Sequence, residues 1–195
     1  GRDAHDGDVT GAAVPLEAFA RNSKLTEPEV SPNGRYLAVA TSQPEDTFVV
    51  KFNARRKPIQ YSIAIIDLEA PNAKPAVILV RGAYVLRLRW ANDDRLLATT
   101  LGDILRVVSF DKEGKNETVL LGQLRLDQYV ADASHIVHIL PDDPKQILMG
   151  ASDEYGRYNL YKADVYNGEG EIVARGTKTT GRWLTDLQGV PRFRW

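Results

Sequence analysis

The stretches VSPNGRYLA, Val30 to Ala38, and WANDDRLLA, Trp90 to Ala98, align without a gap at an offset of 60 residues. Arg35 meets Arg95, Leu37 meets Leu97 and Ala38 meets Ala98, while the turn residues Pro32-Asn33-Gly34 meet Asn92-Asp93-Asp94. A third copy, LPDDPKQILM, runs from Leu140 to Met149 with one extra residue in the turn. A fourth begins at the end of the chain, where VPRFRW resembles VLRLRW and Trp195 corresponds to Trp90. The markers fall at 30, 90, 140 and 195, spacings of 60, 50 and 55 residues. A chain that returns to one hairpin at such intervals repeats a single supersecondary unit.

A second marker recurs inside each unit. YSIAIIDLEAPNAKPAVILV, DILRVVSFDKEGKNETVLL and YNLYKADVYNGEGEIVARG each read as strand, aspartate, turn, strand, with the aspartates at Asp67, Asp111 and Asp164. An aspartate entering a turn bonds local backbone amides, so these are read as turn residues rather than ligands. Gly114, Gly168 and Gly170 suit the tight turns that follow. Each unit therefore holds about four strands, two around the polar turn and two around the aspartate turn. In VLRLRW, Leu86, Leu88 and Trp90 are expected on one face and Arg87 and Arg89 on the other; in YSIAIIDL both faces are largely apolar. A sheet covered on both sides has that pattern.

Units of ~40–50 residues with four strands are those of a β-propeller. The expected fold is thus all-β: a partial β-propeller of about three four-stranded blades plus the first strand of another. The WD40 signature is absent, and a β-sandwich would not produce the gapless 60-residue register. Ahead of the strands, residues 1–14 read as a flexible lead-in, and PLEAFARN as a short N-terminal helix with Pro15 at its first position. Residues 15–195 are expected to form the N-terminal part of the propeller domain. Propellers have ~4–8 blades, so the sequence is expected to be a portion of a longer chain. An open ring leaves blade faces uncovered, and self-association is expected of it.

The segment PLEAFARNSKLTEPEVSPNGRYLAVA resembles the opening of bacterial serine peptidases of the prolyl oligopeptidase (S9) family, close to the acylaminoacyl-peptidase and dipeptidyl-peptidase branch. RWANDDRLL, IVHILPDDPKQILM, NLYKADVYNGE and WLTDLQGVPRFRW each resemble later segments of the same domain, in order. The resemblance implies a propeller that caps a C-terminal α/β-hydrolase domain of the same polypeptide and restricts access to short peptide substrates. That hydrolase domain would carry a G-x-S-x-G elbow, which this sequence lacks; GASDE at 150–154 has no second glycine. No catalytic residue of the family transfers to any position here. The alternative function is a stand-alone TolB-like propeller that acts as a protein-binding scaffold.

Other constellations carry little chemistry. No catalytic, cofactor-binding or metal-binding residue is assigned, and no cofactor is expected. His135 and His138 lie in SHIVHIL, which reads as a strand, where residues three apart point to opposite faces and make no metal site. His5 sits in the polar lead-in. Asp142-Asp143-Pro144 is a turn without calcium-loop spacing. NARRK at 53–57 reads as a solvated loop, and Trp90, Trp183 and Trp195 as packing between blades. Glu27, Glu29 and Glu45 have the charge to meet a peptide amino terminus, but nothing singles them out. There are no cysteines, which excludes disulfides, zinc–thiolate sites and a cysteine nucleophile. With 25 basic and 26 acidic residues the net charge is −1, so nucleic acid is not an expected partner. No apolar run reaches the ~20 residues of a membrane span. A periplasmic or secreted location is favoured over a cytoplasmic one.

Overall fold

The computed structural model describes residues 24–25, 28–42, 60–122 and 131–194. The lead-in, the N-terminal helix, His5, Glu27, Glu45, the 53–57 cluster and Trp195 lie outside them. The first sheet contains β1 (Lys24–Leu25), β2 (Glu29–Val30), β3 (Tyr36–Ser42), β4 (Gln60–Asp67) and β5 (Ala76–Arg81). Both short strands β1 and β2 pair with β3, at its end and near its start, so together they take the place of one interrupted strand. The second sheet is the meander β6 (Tyr84–Trp90), β7 (Arg95–Leu101), β8 (Leu105–Asp111) and β9 (Thr118–Val119). The third repeats it with β10 (Ala131–Ile139), β11 (Gln146–Ser152), β12 (Tyr158–Asp164) and β13 (Gly170–Ala174). A fourth sheet is represented by the hairpin β14 (Trp183–Thr185) and β15 (Pro191–Arg194). Every pairing is antiparallel.

Apolar side chains stack these sheets in succession. Ala38, Ala40, Ile63, Ile65 and Ile78 of the first sheet bury against Leu88, Trp90, Leu96, Ala98, Val108 and Phe110 of the second. Leu97 and Val107, one residue out of step with Leu96 and Val108, point the other way. They meet Ile147, Met149, Ala151, Tyr161 and Ala163 of the third sheet. Leu148 and Leu160 in turn face Trp183 of the fourth. The middle strands β7 and β11 are therefore buried on both faces, which is why Leu96-Leu97-Ala98 and Ile147-Leu148-Met149 run together as apolar residues at their centres. Four antiparallel sheets stacked in chain order, each covering the next, form a partial β-propeller and not a two-sheet sandwich.

Polar bonds tie the same neighbours together. Asn33 and Asp93, the residues matched by the 60-residue offset, touch: the backbone N–H of Asn33 donates to Asp93 Oδ1 at 2.8 Å. Asn92 of that second turn donates to the carbonyl of Pro144 in the third. Trp90 Nε1 donates to the carbonyl of Glu29 at 3.1 Å, and Trp183 Nε1 to that of Tyr158 at 3.0 Å. Each indole thus satisfies its N–H on the sheet preceding its own.

The aspartate turns recur more often than the sequence markers implied. Asp67 Oδ1 accepts from the backbone of Glu69, and Asp164 Oδ1 from Tyr166 and Asn167. Asp111 Oδ1 accepts from Glu113 and Lys115, at 3.1 and 2.7 Å. Asp153 and Asp186 repeat this last geometry in β11–β12 and β14–β15, bonding Tyr155 and Arg157, and Gln188 and Val190. The N–H of Val190 and the Arg192 guanidinium hold the Asp186 carboxyl below the ordinary carboxylate range. Three residues after Asp111, Asp153 and Asp186 come Gly114, Gly156 and Gly189, with φ of 74°, 72° and 79°, where an L side chain would be strained.

Gly176 answers to a different constraint. Its N–H donates to the buried Asn159 Oδ1 at 3.0 Å, and a Cβ here would run into the carbonyl of Tyr158, the acceptor of the Trp183 indole. Gly176→Ala is expected to cost about 1–3 kcal/mol by overpacking. The denaturation midpoint measures it, and an unshifted midpoint would mean that the contact relaxes freely.

Candidate functional site

Two irregularities in strand pairing shape the site. In β6, Val85 lies opposite Thr100 while Arg87 lies opposite Thr99, so Leu86 is an extra residue. A one-residue bulge reverses the alternation beyond it. Val85 consequently shares the first interface with Leu88 and Trp90, whereas Leu86, expected there from simple alternation, is 51% exposed. Arg87 and Arg89 occupy the other face, as expected, and line a cavity.

The second irregularity corrects the reading of the histidines. In β10 the register slips between Ile136 and His138: His135 lies opposite Gly150 and His138 opposite Leu148. Gly150 and Leu148 are two apart on a regular strand, so both histidines project to the same face and not to opposite ones. Val137 is the extra residue. His135 lines the cavity, while His138 lies near Gly189 in the β14–β15 turn. Among the described residues, the buried His138 Nδ1 finds no hydrogen-bond partner.

The cavity measures about 390 Å³ and lies where β6, β10 and β14, the first strands of three successive sheets, come together. Arg87 and Arg89 of β6, His135 of β10 and Arg182 just ahead of β14 give it a basic wall. Thr99 and Ser134 add hydroxyls. Ile136, Val137, Trp183 and Leu184 form an apolar side. Among the described residues, none that line it carries a carboxylate. Burial pushes the Arg89 guanidinium below its ordinary range, and the charge of Arg87 adds to the shift; Glu29 offsets part of it. A guanidinium stays ionised in water, so the lowering marks charge crowded together and stripped of solvent rather than lost.

The other expected positions fall as follows. Asp142-Asp143-Pro144 forms the β10–β11 turn, with Asp143 paired to Lys162 at 2.9 Å. Glu29 contributes its backbone carbonyl, the acceptor of the Trp90 indole. Trp90 and Trp183 are buried at the first and third interfaces. Among the described residues, no three His, Cys, Asp or Glu side chains are placed to hold a metal ion. Among them, too, no helix is long and apolar enough to cross a membrane. The cavity went unread in the sequence. Its one local signal is the pair of arginines two apart in the otherwise apolar VLRLRW strand; Arg182 and His135 reach it only through the sheet packing.

No family model matches the chain, and no curated protein matches it. Among solved structures, an oligogalacturonate lyase in complex with manganese superposes with a TM-score of 0.60 at 11% identity, over 86% of this chain and 45% of that one. An oligogalacturonate lyase from Vibrio parahaemolyticus superposes at 0.58 and 10% identity, over 87% and 46% of the two chains. The chain therefore spans less than half the length of these lyase chains. The lyase is a β-propeller, and at this identity the likeness concerns the fold alone. A puromycin-hydrolyzing peptidase of Mycobacterium tuberculosis matches at a TM-score of 0.36 and 10% identity, over 82% of this chain and 30% of that one. That overlap is too loose to bear on the fold.

Proposed function

We propose that the chain is the N-terminal propeller portion of a serine peptidase of the prolyl oligopeptidase family. In this reading it is non-catalytic. It covers the active site of an α/β-hydrolase domain of the same polypeptide and admits short peptides while turning away folded proteins. The observation that carries the reading is the order of the resembling segments along the sheets. Val30–Ala40 spans the start of the first sheet, RWANDDRLL the β6–β7 turn and IVHILPDDPKQILM the β10–β11 turn. NLYKADVYNGE and WLTDLQGVPRFRW follow on β12 and on β14–β15. Filtering is steric: a flexible peptide enters a passage that a folded domain cannot. The chemistry would be acyl transfer from peptide to a serine of the other domain, followed by hydrolysis of the acyl-enzyme. A periplasmic or secreted setting belongs to the same reading.

The test compares the chain with its parent polypeptide. The parent is expected to react with a fluorophosphonate probe and to hydrolyse chromogenic peptide amides, and the 195-residue chain to do neither. A parent that takes no probe would favour a binding propeller of the TolB-like kind. Turnover by the purified chain would show that a nucleophile lies within it.

A further inference from the structure

Arg87 and Arg89 of the cavity stand apart from the other arginines of the sheets in their pairing. Arg35, Arg157 and Arg192 each face a carboxylate, Asp67, Asp153 and Asp186, at 2.7–2.8 Å. Arg87 and Arg89 make no such pair among the described residues, although they share one face of β6 and line the same cavity as Arg182. Like charges gathered in a recess repel, and the repulsion is relieved when an anion enters. Guanidinium groups bind carboxylates through paired N–H donors, with geometric as well as electrostatic selectivity. Trp183, Ile136 and Val137 line the same cavity and offer an apolar surface to whatever carbon frame carries the acidic groups.

We propose that this cavity binds the carboxylates of a short acidic peptide, held by Arg87 and Arg89 with its carbon frame against Trp183. The preference for anions stands on the cavity itself; the choice of a peptide rests on the peptidase reading above. Thr99 lies within the same recess and supplies a hydroxyl for the peptide backbone.

The test is calorimetric titration of the 195-residue chain with triglutamate and with its neutral isostere triglutamine. Triglutamate is expected to bind at least about tenfold more tightly, and to weaken as salt is raised. Arg87→Gln and Arg89→Gln are each expected to weaken it about tenfold, and Arg87→Lys to retain part of the affinity. Arg87 is exposed and Arg89 half-buried, so the variants keep the apolar interfaces intact, which their circular dichroism checks. Equal binding of the two peptides by the unaltered chain would overturn the proposal. So would a triglutamate affinity unmoved by either glutamine substitution. Citrate binding to these arginines without triglutamate binding would overturn the peptide assignment. Triglutamate binding in a parent that takes no fluorophosphonate would uphold the site while removing the peptidase reading.

Discussion

Trp90→Ala is expected to destabilise the fold by about 3–5 kcal/mol, the cost of emptying a buried indole from a packed interface. The ring is 5% exposed and lies between the first two sheets, with its centroid 6.2 Å from that of Tyr36. Its removal opens a cavity in the apolar cluster that the first two sheets share. It also strips the Glu29 carbonyl of its donor. Trp90→Phe is milder: one aromatic ring remains while the N–H and part of the buried volume are lost, for about 1–2 kcal/mol. Denaturant titration of the three proteins reads both, as a falling midpoint with an unchanged slope. If the alanine variant cost no more than the phenylalanine variant, the indole would not be a packing element of that interface.

Arg95→Ala is expected to cost about 3 kcal/mol through a different mechanism, because it leaves buried acceptors without a donor. The residue is 3% exposed. Its Nε donates to Ser109 Oγ at 2.8 Å and to the carbonyl of Val165 at 3.1 Å, and its Nη2 to the carbonyl of Asn116 at 3.0 Å. Val165 belongs to the third sheet's turn, so the guanidinium bridges two sheets. Arg95→Lys is expected to fall between, since an ammonium keeps the charge but lacks the planar fork. Arg35 occupies the matching position of the preceding repeat yet is 42% exposed at its side chain and pairs with Asp67. Arg35→Ala should therefore shift the midpoint little, as exposed ion pairs generally do. Equal losses at the two positions would show that Arg95 is not set apart by its burial.

The same pair of arginines shows what was legible in the sequence. The repeat told that Arg35 and Arg95 follow equivalent turns, because a hairpin is local and its signal is contiguous. Asp67, Asp111 and Asp164 were readable for the same reason. Asp153 and Asp186 use the same chemistry, but their turns are SDEYGR and TDLQGV, outside the aligned markers. The strand faces were legible only where pairing is regular. Leu86 and His138 were placed on the wrong side because a bulge is a property of two strands, and nothing in either strand alone announces it. The cavity is less legible still. Arg87, His135 and Arg182 belong to three sheets, and only the stacking of those sheets brings them to one recess.

That stacking has a consequence for how damage spreads. Among the described residues, each apolar cluster is shared by two adjoining sheets, and none is common to all four. A defect is then felt chiefly by the neighbour on either side and fades with each step along the series. A lesion at Leu160 should loosen the amide protons of the last hairpin well before those of the first, so hydrogen exchange would grade the molecule from one end to the other.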